Sequence, residues 1–279
     1  MLDSWMGKMI RYYLQMYREN PVHIIKGRSN YYLSLLLATA DSIIKGHIVN
    51  PQQHFIGESV VIVNNVKLLC NKYTSFGFYL NLKIFEPKTW EYISKIKGNI
   101  FIDIGANAGG YVIPFASNFT KVIAVEPNPS LVEIIRRNAE INNLNNIEIV
   151  EAAVSNYSGV ADFYVPTYSL QVASLDRNWP LIRGESISIL KVKVVIMNEL
   201  IRDMNVNFID LILIDAEGQE IKILENQKQL FLKARIIIVD TEPSTVSKLS
   251  DILTNNGYVI RFLDGNVEHG GNLLAEKFI

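Results

Sequence analysis

Short apolar runs, each closed by an acid or a glycine, recur along the chain from residue 99 onward. Ile100, Phe101, Ile102 and Ile104 form the first, which ends at Asp103 and Gly105. Lys121 to Val125 runs into Glu126, Ile147 to Val150 into Glu151, Ile209 to Ile214 into Asp215, and Arg235 to Val239 into Asp240. Near-continuous apolar runs of this length suit strands buried on both faces of a parallel sheet. Helices are expected between them: Pro87 to Lys97, a stretch beginning at Tyr111, Ser130 to Asn142, Gln219 to Leu230, and Ser244 to Asn255. Ser130 with Glu133 three residues later reads as a capping box. Tyr258 to Leu263 and Leu273 to Phe278 fit a final antiparallel pair about a glycine-rich turn. The pattern predicts an α/β fold, a Rossmann-like, doubly wound sheet of seven mostly parallel strands with that pair last.

The first 84 residues have another character and are predicted to form an N-terminal extension of helices followed by a β-hairpin. Trp5, Met6, Met9, Ile10, Tyr13, Leu14 and Met16 recur at helical spacing, Pro21 closes that helix, and a second spans Ser29 to Lys45. Such stripes usually pack on a core; a lid, a dimer face joining two chains through these helices, or a membrane-surface helix is the other reading. Val60 to Val63 and Val66 to Cys70 flank Asn64-Asn65 as two strands about a two-residue turn, and Phe76 to Leu82 adds another strand. Residues 85–279 then form the main domain, with an insertion over 154–208. Within it, Val160 to Val165 and Ile187 to Val195 read as strands and Met197 to Met204 as a helix; a polar stretch from Tyr168 to Glu185 carries Trp179 and Pro180. Insertions of this length tend to shape substrate sites.

Charge narrows the partners. Net charge is −1 with a pI near 6.4, which argues against strong electrostatic binding of nucleic acid. The lone cysteine, Cys70, has no internal partner for a disulfide and lies in an apolar run, so a reducing compartment and an inert core thiol fit. The four histidines are scattered and make no zinc pattern, and no metal ligand is assigned. Asp3, Lys8 and Arg11 interrupt any signal-peptide core, and Tyr31 to Ala40 is too short to span a bilayer. A cytoplasmic protein without a transmembrane segment is expected.

The chemistry gathers at the strand ends. The turn after the first strand reads Gly105-x-Asn107-x-Gly109, with Asn107 where dinucleotide binders place their second glycine. Asn tolerates a left-handed backbone, but its side chain would crowd a pyrophosphate. Asp103 would repel a polyphosphate and suits a ligand carrying ammonium and sulfonium charges, which points to S-adenosylmethionine (SAM) rather than NAD or ATP. Glu126 lies 21 positions after Gly105, the spacing at which nucleotide-binding folds set a carboxylate on the ribose hydroxyls; a solvated strand-end acid is the plainer reading. Asp215, Glu217 and Glu220 follow the fourth strand, on the edge where open α/β sheets bind ligands. The dipole of the next helix accounts for Glu220, and less well for Asp215.

Phe101-Ile-Asp103-Ile-Gly105-Ala-Asn107-Ala-Gly109, Val125-Glu126-Pro127-Asn128-Pro129, Asn138, Asn142-Asn-Leu144 and Ile214-Asp215-Ala-Glu217-Gly218-Gln-Glu220 together resemble the FkbM family of SAM-dependent methyltransferases, over roughly residues 85 to 245. The resemblance implies a class I methyltransferase sheet, SAM as cofactor, and O-methylation of a hydroxyl on a sugar, glycan or secondary metabolite. The residues assigned to SAM are Asp103, Gly105, Asn107 and Gly109 in the turn, Glu126 and Asn128 after the second strand, and Ala153, which with Glu151 and Ala152 closes the third. Asp215 and Glu217 are the candidate catalytic acids, since an acceptor hydroxyl is a weak nucleophile that a carboxylate can orient and deprotonate. The chain departs from the family at Leu213, where lysine is common, and at Met197-Asn198, where Leu-Asp is frequent. These departures leave open a catalytically inactive SAM-binding module. N-methylation of an RNA base is a further alternative, but the Asp-Ala-Glu-Gly sequence after the fourth strand is not the Asn/Asp-Pro-Pro-Tyr of such enzymes.

Overall fold

The computed structural model describes residues 6–8, 10, 11, 14, 24–49, 51–63, 65–71, 74, 86–167, 172–181, 186–225 and 227–277. The chain divides into two compact units, residues 1–81 and 82–279. In the first unit, β1 (Ile24–Lys26) precedes α1 (Arg28–Lys45), followed by β2 (Ser59–Val63) and β3 (Val66–Cys70). The three strands form an antiparallel sheet in the order β1-β2-β3, with Val63 opposite Val66 across the two-residue turn. Helix α1 buries Tyr31, Leu35 and Ala38, while Leu36, Ile43 and Ile44 are exposed. Cys70 is buried, and burial pushes its thiol far above the ordinary range, so it is not a nucleophile at neutral pH. The stripe from Trp5 to Met16 falls only partly on described residues, of which 6–8, 10, 11 and 14 are helical; the strand expected over 76–82 lies outside them.

The second unit opens with α2 (Pro87–Ser94) and β4 (Gly98–Ile104). After a tight turn come α3 (Val112–Phe115), β5 (Phe119–Val125), α4 (Pro129–Ile141) and β6 (Ile147–Val150). The insertion supplies β7 (Ala153–Ser155), β8 (Gly159–Pro166), α5 (Asn178–Leu181), β9 (Ile187–Ile196) and α6 (Met197–Asp203). The chain then returns through β10 (Ile209–Ile214), α7 (Glu220–Leu224), α8 (Lys228–Lys233), β11 (Ala234–Val239), α9 (Val246–Asn255), β12 (Val259–Phe262) and β13 (Leu273–Glu276). The main sheet has seven strands in the order β12-β13-β11-β10-β4-β5-β6. All pairings are parallel except those of β13, which runs antiparallel to both β11 and β12. This is the Rossmann-like, doubly wound arrangement expected from the strand pattern, with the antiparallel pair last.

The register aligns the strand ends. Ile104 pairs with Val125 and Ile214, and Ile214 with Val239. The ladder continues one residue further: Gly105 N–H donates to Val125 O at 2.9 Å, Asp215 N–H to Ile104 O at 3.0 Å and Asp240 N–H to Ile214 O at 2.9 Å. Asp103, Glu126, Asp215 and Asp240 therefore gather at one edge of the sheet. At the opposite edge, the buried Asp210 accepts the N–H groups of Asn99 (2.7 Å) and Ile100 (3.0 Å), pinning β4 to β10.

Four local expectations are corrected. Helix α4 is capped by Asn128, whose side-chain oxygen accepts the Ser130 N–H at 3.0 Å, with Pro129 at the first helical position. There is thus no capping box from Ser130, and Glu133 pairs instead with Arg136 at 2.6 Å. The helix expected from Gln219 to Leu230 is two short helices, α7 and α8, broken where Glu225 turns extended. Buried Ile223 and Leu224 are seven residues from Leu230 and Phe231, the spacing a continuous helix would give, so periodicity hid the break. The helix after the glycine turn is a single turn, α3, holding Pro114 and tightening into a 3₁₀ segment over Ala116–Asn118. Finally, Ala153 does not close β6; it opens β7, which pairs with β9 in a separate three-stranded sheet.

Candidate active site

The turn after β4 is built on the backbone of β10. Gly105 has φ +84, and a Cβ there would lie 1.8 Å from the Asp215 carbonyl oxygen. Its missing side chain thus makes room for the neighbouring strand end. Asn107 adopts the left-handed region at φ +51, and its side-chain oxygen accepts the Ala108 N–H at 2.8 Å. Its own N–H donates to Glu126 Oε2 at 2.9 Å. Glu126 Oε1 accepts the Asn128 N–H at 2.8 Å, so one carboxylate ties the β4 turn to the loop that follows β5.

The acids are crowded. Glu126 is 5% exposed, and burial pushes its carboxyl up to about 7 against the opposing effect of its two N–H donors. Asp103 is 2% exposed at the end of β4; burial and then the neighbouring Glu126 push it up to about 8. No N–H or hydroxyl among the described residues donates to the Asp103 carboxylate. Asp215 opens to the cleft but is deep in protein on its other sides. That loss of water, then Glu217, Asp240, Glu86 and Glu220, hold its carboxyl well above the usual range. Asp240 is raised to about 7 by burial first and by its acidic neighbours after that. Glu220 has a different job. Its carboxylate folds back to accept the N–H groups of Ala216 (2.9 Å) and Gly218 (3.1 Å), closing the loop after β10.

Between these elements lies a pocket open to solvent, with an enclosed volume of about 40 Å³. Gly105, Asn107, Glu126, Ala153, Asp215 and Glu217 line it, so six of the nine residues singled out from the sequence meet in one cavity. The other three sit outside the lining: Asp103 is buried at the end of β4, Gly109 packs against Ile113 and Ile135, and Asn128 caps α4. Val125, Pro127, Leu131 and Ala152 give the cavity an apolar wall. The insertion adds Phe163, Ala173 and Leu175, and Gln219 completes the wall beside Glu217. Sequence reasoning did not name these. The alternation in β8 foretold a strand at Phe163 but not which sheet it would join. Among the described residues, every charged group lining the pocket is an acid, so an anionic polyphosphate is disfavoured there and a cationic ligand with an apolar ring is favoured. Among the described residues, no group of three or more acids, histidines or cysteines is arranged to hold a metal ion, and no helix is long and apolar enough to cross a membrane.

A family model described as the methyltransferase FkbM domain matches residues 103–260, more than half of the chain. Among curated proteins, the tRNA/tmRNA (uracil-C(5))-methyltransferase of Idiomarina loihiensis is 33% identical over 57 residues, which is 20% of this chain and 16% of that protein. The match thus reaches less than a fifth of that relative's length. Among solved structures, a precorrin-6y C5,15-methyltransferase from Geobacter metallireducens is similar at a TM-score of 0.43 with 15% identity, over 73% of this chain and 90% of that one. Methyltransferase FkbM from Methylobacillus flagellatus is similar at 0.43 with 13% identity, over 75% of this chain and 56% of that one.

Proposed function

Because this chain belongs to the FkbM methyltransferase family, we propose that it transfers the methyl group of SAM to a hydroxyl of a sugar, glycan or secondary metabolite. The observation that carries the reading is the single cavity in which Glu126 and the β4 turn face Asp215 and Glu217. Its residues fit the cofactor. The apolar wall of Val125, Pro127, Leu131, Ala152 and Phe163 suits a flat heteroaromatic ring. Glu126 uses one lone pair of each oxygen on the Asn107 and Asn128 N–H groups, and the remaining lone pairs suit two adjacent ribose hydroxyls. Asp103, buried and crowded by acid, gains from a positive group nearby.

Bound SAM supplies a methyl carbon already activated by a sulfonium. The chain's own residues align the acceptor, exclude water and take the proton that the hydroxyl sheds. Asp215 is placed for that role, at the cleft on a backbone locked to β4 and with a carboxyl of raised proton affinity. Glu217, two residues on, holds the acceptor. An RNA substrate is the less favoured reading, because a net charge of −1 and an acid-lined cavity repel phosphate.

Asp215→Asn, nearly isosteric, tests this with labelled SAM and a pool of cellular glycans. SAM affinity should stay within a few-fold while turnover falls at least about a hundredfold. Full turnover in the Asp215→Asn, Glu217→Gln double variant refutes the assignment. Tight SAM binding without turnover on any acceptor by the unaltered chain favours an inactive binding module instead.

A further inference from the structure

The segment 172–181 of the insertion reaches the loop after β10 at three points. Ser174, fully buried, donates its hydroxyl to the Glu217 carbonyl oxygen at 2.7 Å. Trp179 Nε1–H donates to Glu217 Oε2 at 2.5 Å. The indole ring lies where a side chain on Gly218 would be: a Cβ there would sit 2.8 Å from Trp179 Cε3. Between these contacts Glu217 holds φ +49, a left-handed backbone that a glutamate rarely adopts unless its surroundings enforce it. Ala173 and Leu175 of the same segment line the pocket that Glu217 also lines.

We propose that Trp179 is a positioning residue: its indole, seated on Gly218, fixes the plane of the Glu217 carboxylate toward the acceptor. This rests on the reading of Glu217 as an acceptor-facing acid. Gly218 then owes its place to the indole above it, and Ser174 sets the main chain from which the carboxylate extends.

The test compares Trp179→Phe, Glu217→Gln and the double variant with the unaltered chain. Trp179→Phe removes the N–H together with part of the fused ring that lies over Gly218. S-adenosylhomocysteine affinity by calorimetry should stay within about threefold, while kcat on a labelled glycan fraction falls about tenfold with KM nearly unchanged, as expected for a misaligned group. The double variant should be no slower than Glu217→Gln, because both changes break one unit. Fluorescence gives a readout that needs no acceptor. The chain has three tryptophans, so the difference spectrum between the unaltered chain and Trp179→Phe isolates the Trp179 emission. That emission should shift in Glu217→Gln, where the carboxylate is gone. An unshifted emission, additive rate losses, or full kcat in Trp179→Phe beside a slow Glu217→Gln would each overturn the positioning role. Full turnover in Glu217→Gln would instead remove the acid from the reaction.

Discussion

Replacing Asp103 with asparagine should make the ligand-free protein more stable at pH 8 and a poorer binder of SAM. In the folded chain Asp103 keeps its proton up to about pH 8, whereas in the unfolded chain it loses it near 3.8. Between those values the native state binds the extra proton, so stability is fully present below about pH 4, declines as pH rises, and levels off above about 8. Glu126 and Asp240, each raised to about 7, pull in the same direction. At about 1.4 kcal/mol per pH unit, ionising Asp103 in place costs on the order of 2–6 kcal/mol, the upper figure assuming no relaxation. Asparagine keeps the shape and removes the titration. At roughly 2–4 °C per kcal/mol for a unit of this size, the variant should melt at least about 5 °C higher at pH 8 and nearly level with the unaltered chain at pH 4.5. A cation offsets the charge it meets, so saturating SAM should raise the melting temperature of the unaltered chain more than that of the variant. Affinity at pH 8 should fall at least about tenfold in Asp103→Asn. Thermal scans from pH 4.5 to 8.5, with and without SAM, decide the matter. A melting temperature that stays flat or rises with pH over that range, or an Asp103→Asn curve parallel to the original, refutes the reasoning.

Glu126→Ala should weaken SAM at least about tenfold by calorimetry, since charge-assisted hydrogen bonds contribute roughly 1.5–3 kcal/mol; unchanged affinity in a folded variant removes Glu126 from the site. Gly105→Ala should destabilise the protein even without ligand, because its Cβ would lie 1.8 Å from the Asp215 carbonyl; a melting temperature equal to the original would show that the strand ends are further apart. Asp210→Ala leaves two N–H groups of β4 without their acceptor and should cost about 2–4 kcal/mol in urea unfolding, with SAM affinity of the folded fraction unchanged.

The buried strands were legible because each lies between two covered faces. Ile100 to Ile104 and Ile209 to Ile214 needed no alternation to be recognised, and the acids closing them marked one edge of the sheet. What stayed hidden depended on partners far away in sequence. Asn128 rather than Ser130 caps α4 because the chain turns in through Pro127 and Pro129, which moves the helix start forward by two residues. Ala153 joins β9 because the insertion folds back as a second sheet, and nothing local marks that. Trp179 stood out as a tryptophan in a polar stretch, yet its contact with Glu217, 38 residues on, is set by the path of a loop and not by any period.

The two motifs that suggested the family are halves of one contact. In the sequence, Asp-x-Gly at 103–105 and Asp-x-Glu-Gly at 215–218 are separated by about a hundred residues, and each glycine reads as room for a ligand. In the fold, Gly105 makes room for the Asp215 carbonyl, and the Asp215 N–H donates back to Ile104 O. Gly218 makes room for the indole that holds Glu217. A side chain at either glycine would displace an acid before it touched a cofactor. The glycines thus act on the acids through the backbone, and the same contact that brings β10 against the β4 turn brings Asp215 to the cavity that Glu126 lines. The β4 turn and the acids after β10 are therefore held in register by main-chain hydrogen bonds within the sheet, on rigid elements and not on loops.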